Sequence, residues 1–336
     1  MVTKTDLKRQ GVNLAFGQGI SVCLTATGVF SQYLSRNNAS APTFQTLFLY
    51  VALGLIFASY FYAQRRPSVH LPWWYWWLLG FVDVEANYFC VLAFRGVVNF
   101  AVLGLILHMT VPFVTLLSYV VLRKRYHALH MVGCAFAFAG CVVIFAHNNE
   151  SAEYPDQAKG NAWSLAAAFL YGVSNLMSEY AVKRGGLDAN VECLGKLGAT
   201  AAVVSAIQVA IFERDTVAAV DWSGVNIGYT AGYVLAMFIF YVVVNIFLRV
   251  TESLMFNLSL LTADIYNAAM NYVCFGDAVP GIYWLALALN YVGTAVYALK
   301  EPTQLPPKGE TSGANAPRDF DELRTPPSEK PIADLV

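Results

Sequence analysis

Apolar runs of about 20 residues recur ten times along this 336-residue chain, and that recurrence restricts its fold more than any motif does. They fall at approximately 13–33, 43–63, 74–94, 98–122, 128–146, 161–182, 189–212, 225–248, 253–275 and 281–299. Each is long enough to cross roughly 30 Å of hydrocarbon as a helix. Helix is the default because backbone groups in lipid must be satisfied within the segment, and the alternation of barrel strands is missing. With 57% hydrophobic and 13% charged residues and a mean hydropathy of +0.50, the chain is no soluble globular protein, for which about 25% charged residues is usual. The net charge of −1 says little, because the charges sit in loops and tails.

The ten runs read as five written twice. Gly11 to Ala146 answers loosely to Gly160 to Leu299: Ser31-Gln32-Tyr33 to Ser178-Glu179-Tyr180, Gln45 to Glu192, Arg95 to Arg249, Gly140 to Gly293. An odd number of crossings inverts the second copy, the arrangement by which many secondary transporters build a midplane site. The expected fold is therefore all-α, with ten transmembrane helices in two inverted five-helix repeats. Its parts would be a cytosolic arm (1–12), a first repeat (13–146), a lumenal or extracellular linker (147–160), a second repeat (161–299) and a disordered cytosolic tail (300–336) rich in proline and charge.

Eleven Lys and Arg fall on the side of the N-terminal arm and even-numbered loops (Lys4, Lys8, Arg9, Arg65, Arg66, Arg123, Lys124, Arg125, Lys183, Arg184, Arg249). Four fall opposite (Arg36, Arg95, Lys159, Arg214), which puts both termini in the cytosol. Two of three sequons, at Asn38 and Asn149, land in loops of the other side; the third, at Asn257, is inside a span. The first run lacks a cleavage site and is read as a retained signal anchor. Trp73-Trp74-Tyr75-Trp76-Trp77 reads as an interfacial anchor. Thr325-Pro326 is a candidate phosphorylation pair. Six cysteines lie in or beside spans without metal or CxxC spacing, so neither cofactor nor metal is expected.

Ionisable groups near midspan cost ~2.5–3.5 kcal/mol or more and usually face a cavity or a partner. Asp83, Glu85, His108 and Asp264 qualify. Asp83 and Glu85 stand about 200° apart on a helix, so one faces a substrate path while the other locks a helix contact; spacing does not say which. Asn87 shares the face of Asp83, and Tyr88 lies beyond Glu85. Asn257, Asp264, Asn267 and Asn271 form one polar stripe. Tyr229, Tyr233, Met237, Tyr241 and Asn245 form another stripe that suits either packing or stacking on a planar ligand. Tyr171, Asn175 and Ser178 share a face of the sixth run. Glu179/Lys183 and Glu192/Lys196 are i, i+4 pairs, and Lys196 is deep enough to be either a structural ion pair or a contact for an anionic group. Pro112 should kink the fourth span, and small residues such as Gly172, Gly195, Gly198 and Gly293 allow close helix approach.

Asp83-Val84-Glu85-Ala86-Asn87-Tyr88, Leu170-Tyr171-Gly172-Val173-Ser174-Asn175 and Asn257-Leu258-Ser259-Leu260-Leu261-Thr262-Ala263-Asp264-Ile265-Tyr266 resemble the signatures of solute carrier family 35, subfamily F, in the drug/metabolite transporter superfamily. Val191-Glu192-Cys193-Leu194-Gly195 and Arg125-Tyr126 fit the same order. The resemblance covers residues 11–299 and implies a ten-helix inverted-repeat fold moving an organic solute by alternating access. The superfamily mostly handles nucleotide sugars and other metabolites; for subfamily F the resemblance implies a nucleobase- or nucleoside-like solute. Where the family usually shows a glutamine and an aspartate in the fourth span, Gly104 and Leu107 stand here, with His108 as candidate replacement. Asn245 stands in place of an expected proline.

The expected function is a secondary transporter; a nucleotide-sugar antiporter of the secretory pathway and a transport-inactive receptor or scaffold are the alternatives. Intramembrane hydrolase motifs (GxGD, GxSx with histidine, HExxH) do not occur, so no enzyme is expected. The expected partners are the lipid bilayer and a small-molecule substrate, with a proton or counter-substrate as coupling candidate; no nucleic acid is expected. Asp83, Glu85 and Asp264 are the proton candidates, since a carboxyl group can take and release a proton inside a span. Either the plasma membrane or a Golgi or ER membrane suits the chain. The remaining substrate-binding candidates are Asn87, His108, Tyr171, Asn175, Lys196, Tyr233, Tyr241, Asn257 and Asn267.

Overall fold

The computed structural model describes residues 4–94, 100–121, 126–146, 156–185, 187–250 and 253–299; the side chains of 4–15, 100, 121, 187, 248–250, 253–261 and 298 lie outside that description. Also outside are Arg95, Arg123, Lys124, Arg125, the Asn149 sequon, most of the linker and the tail with Thr325-Pro326. The described residues form ten helical segments without strands. They are α1 (Lys4–Arg36), α2 (Pro42–Leu53, a π-helical turn at Gly54–Ala58, then Ser59–Ala63), α3 (Trp73–Ala93), α4 (Phe100–Leu107 and Thr110–Val121) and α5 (Ala128–Ala146). Then follow α6 (Gln157–Val182), α7 (Leu187–Gln208, a π-helical turn at Val209–Glu213, then Arg214–Ala219), α8 (Gly224–Val250), α9 (Ser253–Phe275) and α10 (Gly281–Ala298). Six of them, α2, α3, α4, α5, α7 and α8, are long and apolar enough to cross a membrane. Helix α1 starts at Lys4, so most of the expected N-terminal arm is helical.

Helix α1 packs on α8 and α9, α6 on α3 and α4, α2 on α7, α5 on α10, and the first arm of α4 on α9. Lipid supplies no hydrophobic drive between helices, so small residues that let backbones approach carry much of this packing. A Cβ on Gly198 of α7 would come within 2.3 Å of the Gly54 nitrogen in α2. Gly133 of α5 and Gly293 of α10 pack each on the other's carbonyl oxygen: a Cβ on either would sit 2.6–2.7 Å from it. Most of the apolar core falls in two large clusters, with two small ones beside them. One cluster joins α2, α3, α6, α7 and α8 around Leu49, Tyr50, Leu79 and Leu197. The other joins α1, α4, α5, α9 and α10 around Leu105, Ile106 and Tyr283.

In the aromatic run that opens α3, Trp73, Trp74 and Trp77 face outward. Tyr75 and Trp76 turn inward, where the Tyr75 hydroxyl donates to the Met177 carbonyl at 2.6 Å. Pro112 breaks α4 where expected. It has no N–H to give the His108 carbonyl, which accepts instead from Val111 N–H at 3.0 Å.

The first turn of α2 is capped from a distant part of the chain. Glu213, buried at the π-helical turn of α7, accepts from the Thr43 N–H and hydroxyl at 2.9 Å each and from the Phe44 N–H at 3.0 Å. These amides have no partner within their own helix, and the helix dipole favours an anion there. Glu213→Ala should therefore lower the stability of the detergent-solubilised protein by about 1–2 kcal/mol. A thermal-unfolding midpoint measures this, and ligand affinity should stay unchanged.

Candidate functional site

Two buried polar clusters lie in the two halves of the core. The first is centred on Asp83 of α3. Its Oδ2 accepts from the hydroxyls of Tyr50 in α2 at 2.8 Å and Tyr241 in α8 at 2.6 Å, and its Oδ1 from Ser174 in α6 at 2.6 Å. Asn87, one turn on, donates to the Tyr50 and Tyr241 hydroxyls at 2.8 and 2.9 Å and accepts from Tyr171 at 2.9 Å. Four helices thus meet at one carboxylate. Buried networks of this kind fix a single arrangement only when every member is satisfied, and the Asp83 carboxylate has three donors.

The second cluster joins α4, α9 and α10. His108, at the Pro112 break, approaches the Asp264 carboxylate through Nε2 at 2.5 Å. The Tyr283 hydroxyl donates to the Asp264 carbonyl at 2.9 Å. Gly104 is small for a physical reason: a Cβ there would lie 2.9 Å from Asn267 Nδ2 and 3.1 Å from Asp264 Oδ1. The polar groups that the fourth span lacks are supplied by the ninth. Asn271, on the same stripe, donates to the Asp277 carbonyl at 2.8 Å. The side chain of Asn257 lies outside the described residues.

The remaining candidates make no hydrogen bond to either cluster among the described residues. Lys196 is held by Glu192 at 2.5 Å, with its ammonium 5.0 Å from the centre of the Trp76 ring. Glu192 also accepts from the Ser68 hydroxyl at 2.6 Å and Val69 N–H at 2.8 Å, which ties the loop before α3 to α7. Tyr233 and Met237 pack in the core beside Tyr241. Asn175 is half-buried. Of the two acids in α3, Asp83 locks the helix contact; Glu85 is half-buried on the other face and no described group bonds to it.

Tyr50, Ser174 and Tyr283 belong to these clusters but do not emerge from the sequence reading. Tyr50 was accessible to it, since Thr43, Thr46 and Tyr50 fall on one face of an otherwise apolar run. So was the hydroxyl of Ser174, within a quoted motif.

The comparisons with known proteins bear on the same helices. A crystal structure 20% identical in sequence aligns with 86% of this chain and 97% of its own at a TM-score of 0.57, so the two share a fold. A Schizosaccharomyces pombe solute carrier family 35 member is 30% identical over 86% of this chain and 58% of its own length. Solute carrier family 35 member F2 of Mus musculus is 29% identical over 89% of this chain and 81% of its own; the Xenopus tropicalis protein of that name is also 29% identical, over 96% and 83%. The chain thus spans little more than half of the yeast relative. The SLC35F model, described as solute carrier family 35, matches residues 7–299. With that match over nearly the whole helical region, the chain belongs to solute carrier family 35, a family of multi-pass membrane transporters.

Proposed function

We propose that this protein is a secondary transporter that moves a nucleobase- or nucleoside-like solute by alternating access, with 13–146 and 161–299 as inverted repeats. The observation that carries this reading is a pair of equivalent contacts. The sequence correspondence that takes Arg95 to Arg249 also takes Tyr75 to Tyr229, and the one that takes Ser31 to Ser178 takes Tyr33 to Tyr180. Tyr33 stacks on Tyr229 at 4.8 Å and 9°, and the equivalent Tyr180 and Tyr75 meet at 6.2 Å and 39°. The helix pairing follows the same exchange: α1 on α8 and α9 corresponds to α6 on α3 and α4, while α2–α7, α4–α9 and α5–α10 map onto themselves.

The two ends are held by different contacts. Beside the Tyr33–Tyr229 stack, Arg36 pairs with Asp277, and Asn37 donates to Asn226 at 2.8 Å, binding α1 to α8 and to the end of α9. At the other end Lys183 pairs with Glu179 of its own helix, and Arg184 lies over the ring of Tyr180. Both ends are tied across helices: α1 to α8 and α9 at Arg36, and at the Lys183 end α3 to α6 through Tyr75 and Met177, with Arg66 before α3 paired to Asp188 of α7. Asp264 with His108, at the α4–α9 contact about which the halves exchange, is the coupling candidate.

One observation favours a solute without phosphate groups over a nucleotide sugar. A diphosphate calls for Lys or Arg donors. The cation farthest from a helix end among the described residues is Lys196, and Glu192 neutralises it. Proteoliposomes containing the full chain should take up tritiated uridine or adenine saturably, without competition by UDP-glucose and with a rate that responds to an imposed pH gradient. Saturable flux of UDP-glucose alone would establish the antiporter reading, and no saturable flux of any of them would leave a receptor or scaffold.

A further inference from the structure

Among the described residues, Glu85 is the midspan carboxylate left without a hydrogen-bond or ion-pair partner. Asp83 has three hydrogen bonds, Asp264 has His108, and Glu192 has Lys196. No described residue bonds or pairs with Glu85. Helix α3 packs chiefly on α2, α6 and α7, and it does so through the side that carries Gly80, Asp83 and Asn87. Glu85 stands about 200° from Asp83, on a face turned away from these three helices, where it is half-buried. Hydrocarbon does not account for it, because an ionisable group facing lipid at midspan costs about 3 kcal/mol with no compensating contact.

The neighbours on that face are aromatic. Phe81 precedes Glu85 by four residues, and Tyr88 and Phe89 follow it by three and four, the spacings at which helical side chains meet. Phe81 is outward-facing, Tyr88 and Phe89 are half-buried, and their rings meet at 5.4 Å and 71°. A carboxylate flanked by aromatic rings is the chemistry that recognises an organic cation: the acid supplies the charge and the ring faces stabilise a desolvated ammonium or ring nitrogen.

We propose that Glu85, Tyr88 and Phe89 form a binding site for the positively charged group of the substrate, a protonated amine or a cationic ring nitrogen. The proposal rests on the transporter reading and adds a charge to its substrate class. Two isomeric nucleosides test it: 1-methyladenosine, cationic at neutral pH, and N6-methyladenosine, neutral. Benzyltrimethylammonium serves as a cation that is no nucleoside. Thermal-shift titration of the full chain in detergent reads binding, since a ligand raises the midpoint by mass action. The expected result is at least tenfold tighter binding of 1-methyladenosine than of its isomer, with the preference absent in Glu85→Gln.

Equal binding of the two isomers, or a preference that survives in Glu85→Gln, overturns the cation site and leaves the nucleoside reading standing. Binding of benzyltrimethylammonium alone, lost in Glu85→Gln, keeps the cation site and retires the nucleoside reading. Binding of none of the three overturns the proposal. If Glu85→Gln fails to fold, the double variant Tyr88→Leu/Phe89→Leu takes its place, and an undiminished preference there is equally contrary.

Discussion

Alanine at position 83 should abolish uptake and cost on the order of 3–5 kcal/mol of stability, because it strands three hydroxyl donors in a buried site at once. Tyr50, Ser174 and Tyr241 approach from α2, α6 and α8, and each now aims its proton at the Asp83 carboxylate. Asparagine at the same position separates hydrogen bonding from charge. Its amide oxygen can accept from Tyr50 and Tyr241, while its NH2 donates to Ser174, whose hydroxyl accepts as readily as it donates. Asp83→Asn should thus stay within about 1 kcal/mol of the parent. Thermal unfolding of the two variants side by side, with uptake measured on both, checks the pair. An alanine variant as stable as the parent would mean that the carboxylate does not hold the four helices together.

The second large effect comes from a single methyl group. Gly198→Ala places a carbon 2.3 Å from the Gly54 nitrogen and 2.7 Å from the Leu53 Cβ. Backbone cannot swing aside as a long side chain can, so α2 and α7 must separate along their crossing. The expected cost is about 3 kcal/mol, seen as a lower thermal midpoint and loss of monodisperse protein on size exclusion. Gly228→Ala is the matched control. A Cβ there meets nothing within 4 Å, and alanine in a helix gains about 0.5–1 kcal/mol over glycine.

Both variants show what could be read from the sequence and what could not. The apolar runs locate the helical segments to within a few residues over most of the chain, because lipid leaves the backbone little alternative. Pro112 announces the break in α4 for an equally local reason. The opposition of Asp83 and Glu85 also follows from spacing, but the choice between them depends on Ser174 and Tyr241, which are 91 and 158 residues away from Asp83 in sequence. The same holds for His108 and Asp264, 156 residues apart. Glu213 is the clearest omission. It reads as a charge near the end of a span, and only the fold brings it to the first turn of α2, 170 residues earlier. Helical periodicity tells which residues share a face, but not which helix arrives to meet it.

Gly104 bears on how such a protein can change over time. The volume that a side chain at 104 would need is occupied by Asn267 and Asp264. The fourth and ninth spans therefore draw on one shared space, and a polar group gained by one must be matched by a smaller residue in the other. The absence of a side chain at 104 and the acid-and-amide stripe of the ninth span are thus two sides of one packing arrangement. A side chain introduced at 104 alone would meet Asn267 and Asp264, and smaller residues at 264 and 267 alone would leave a hole.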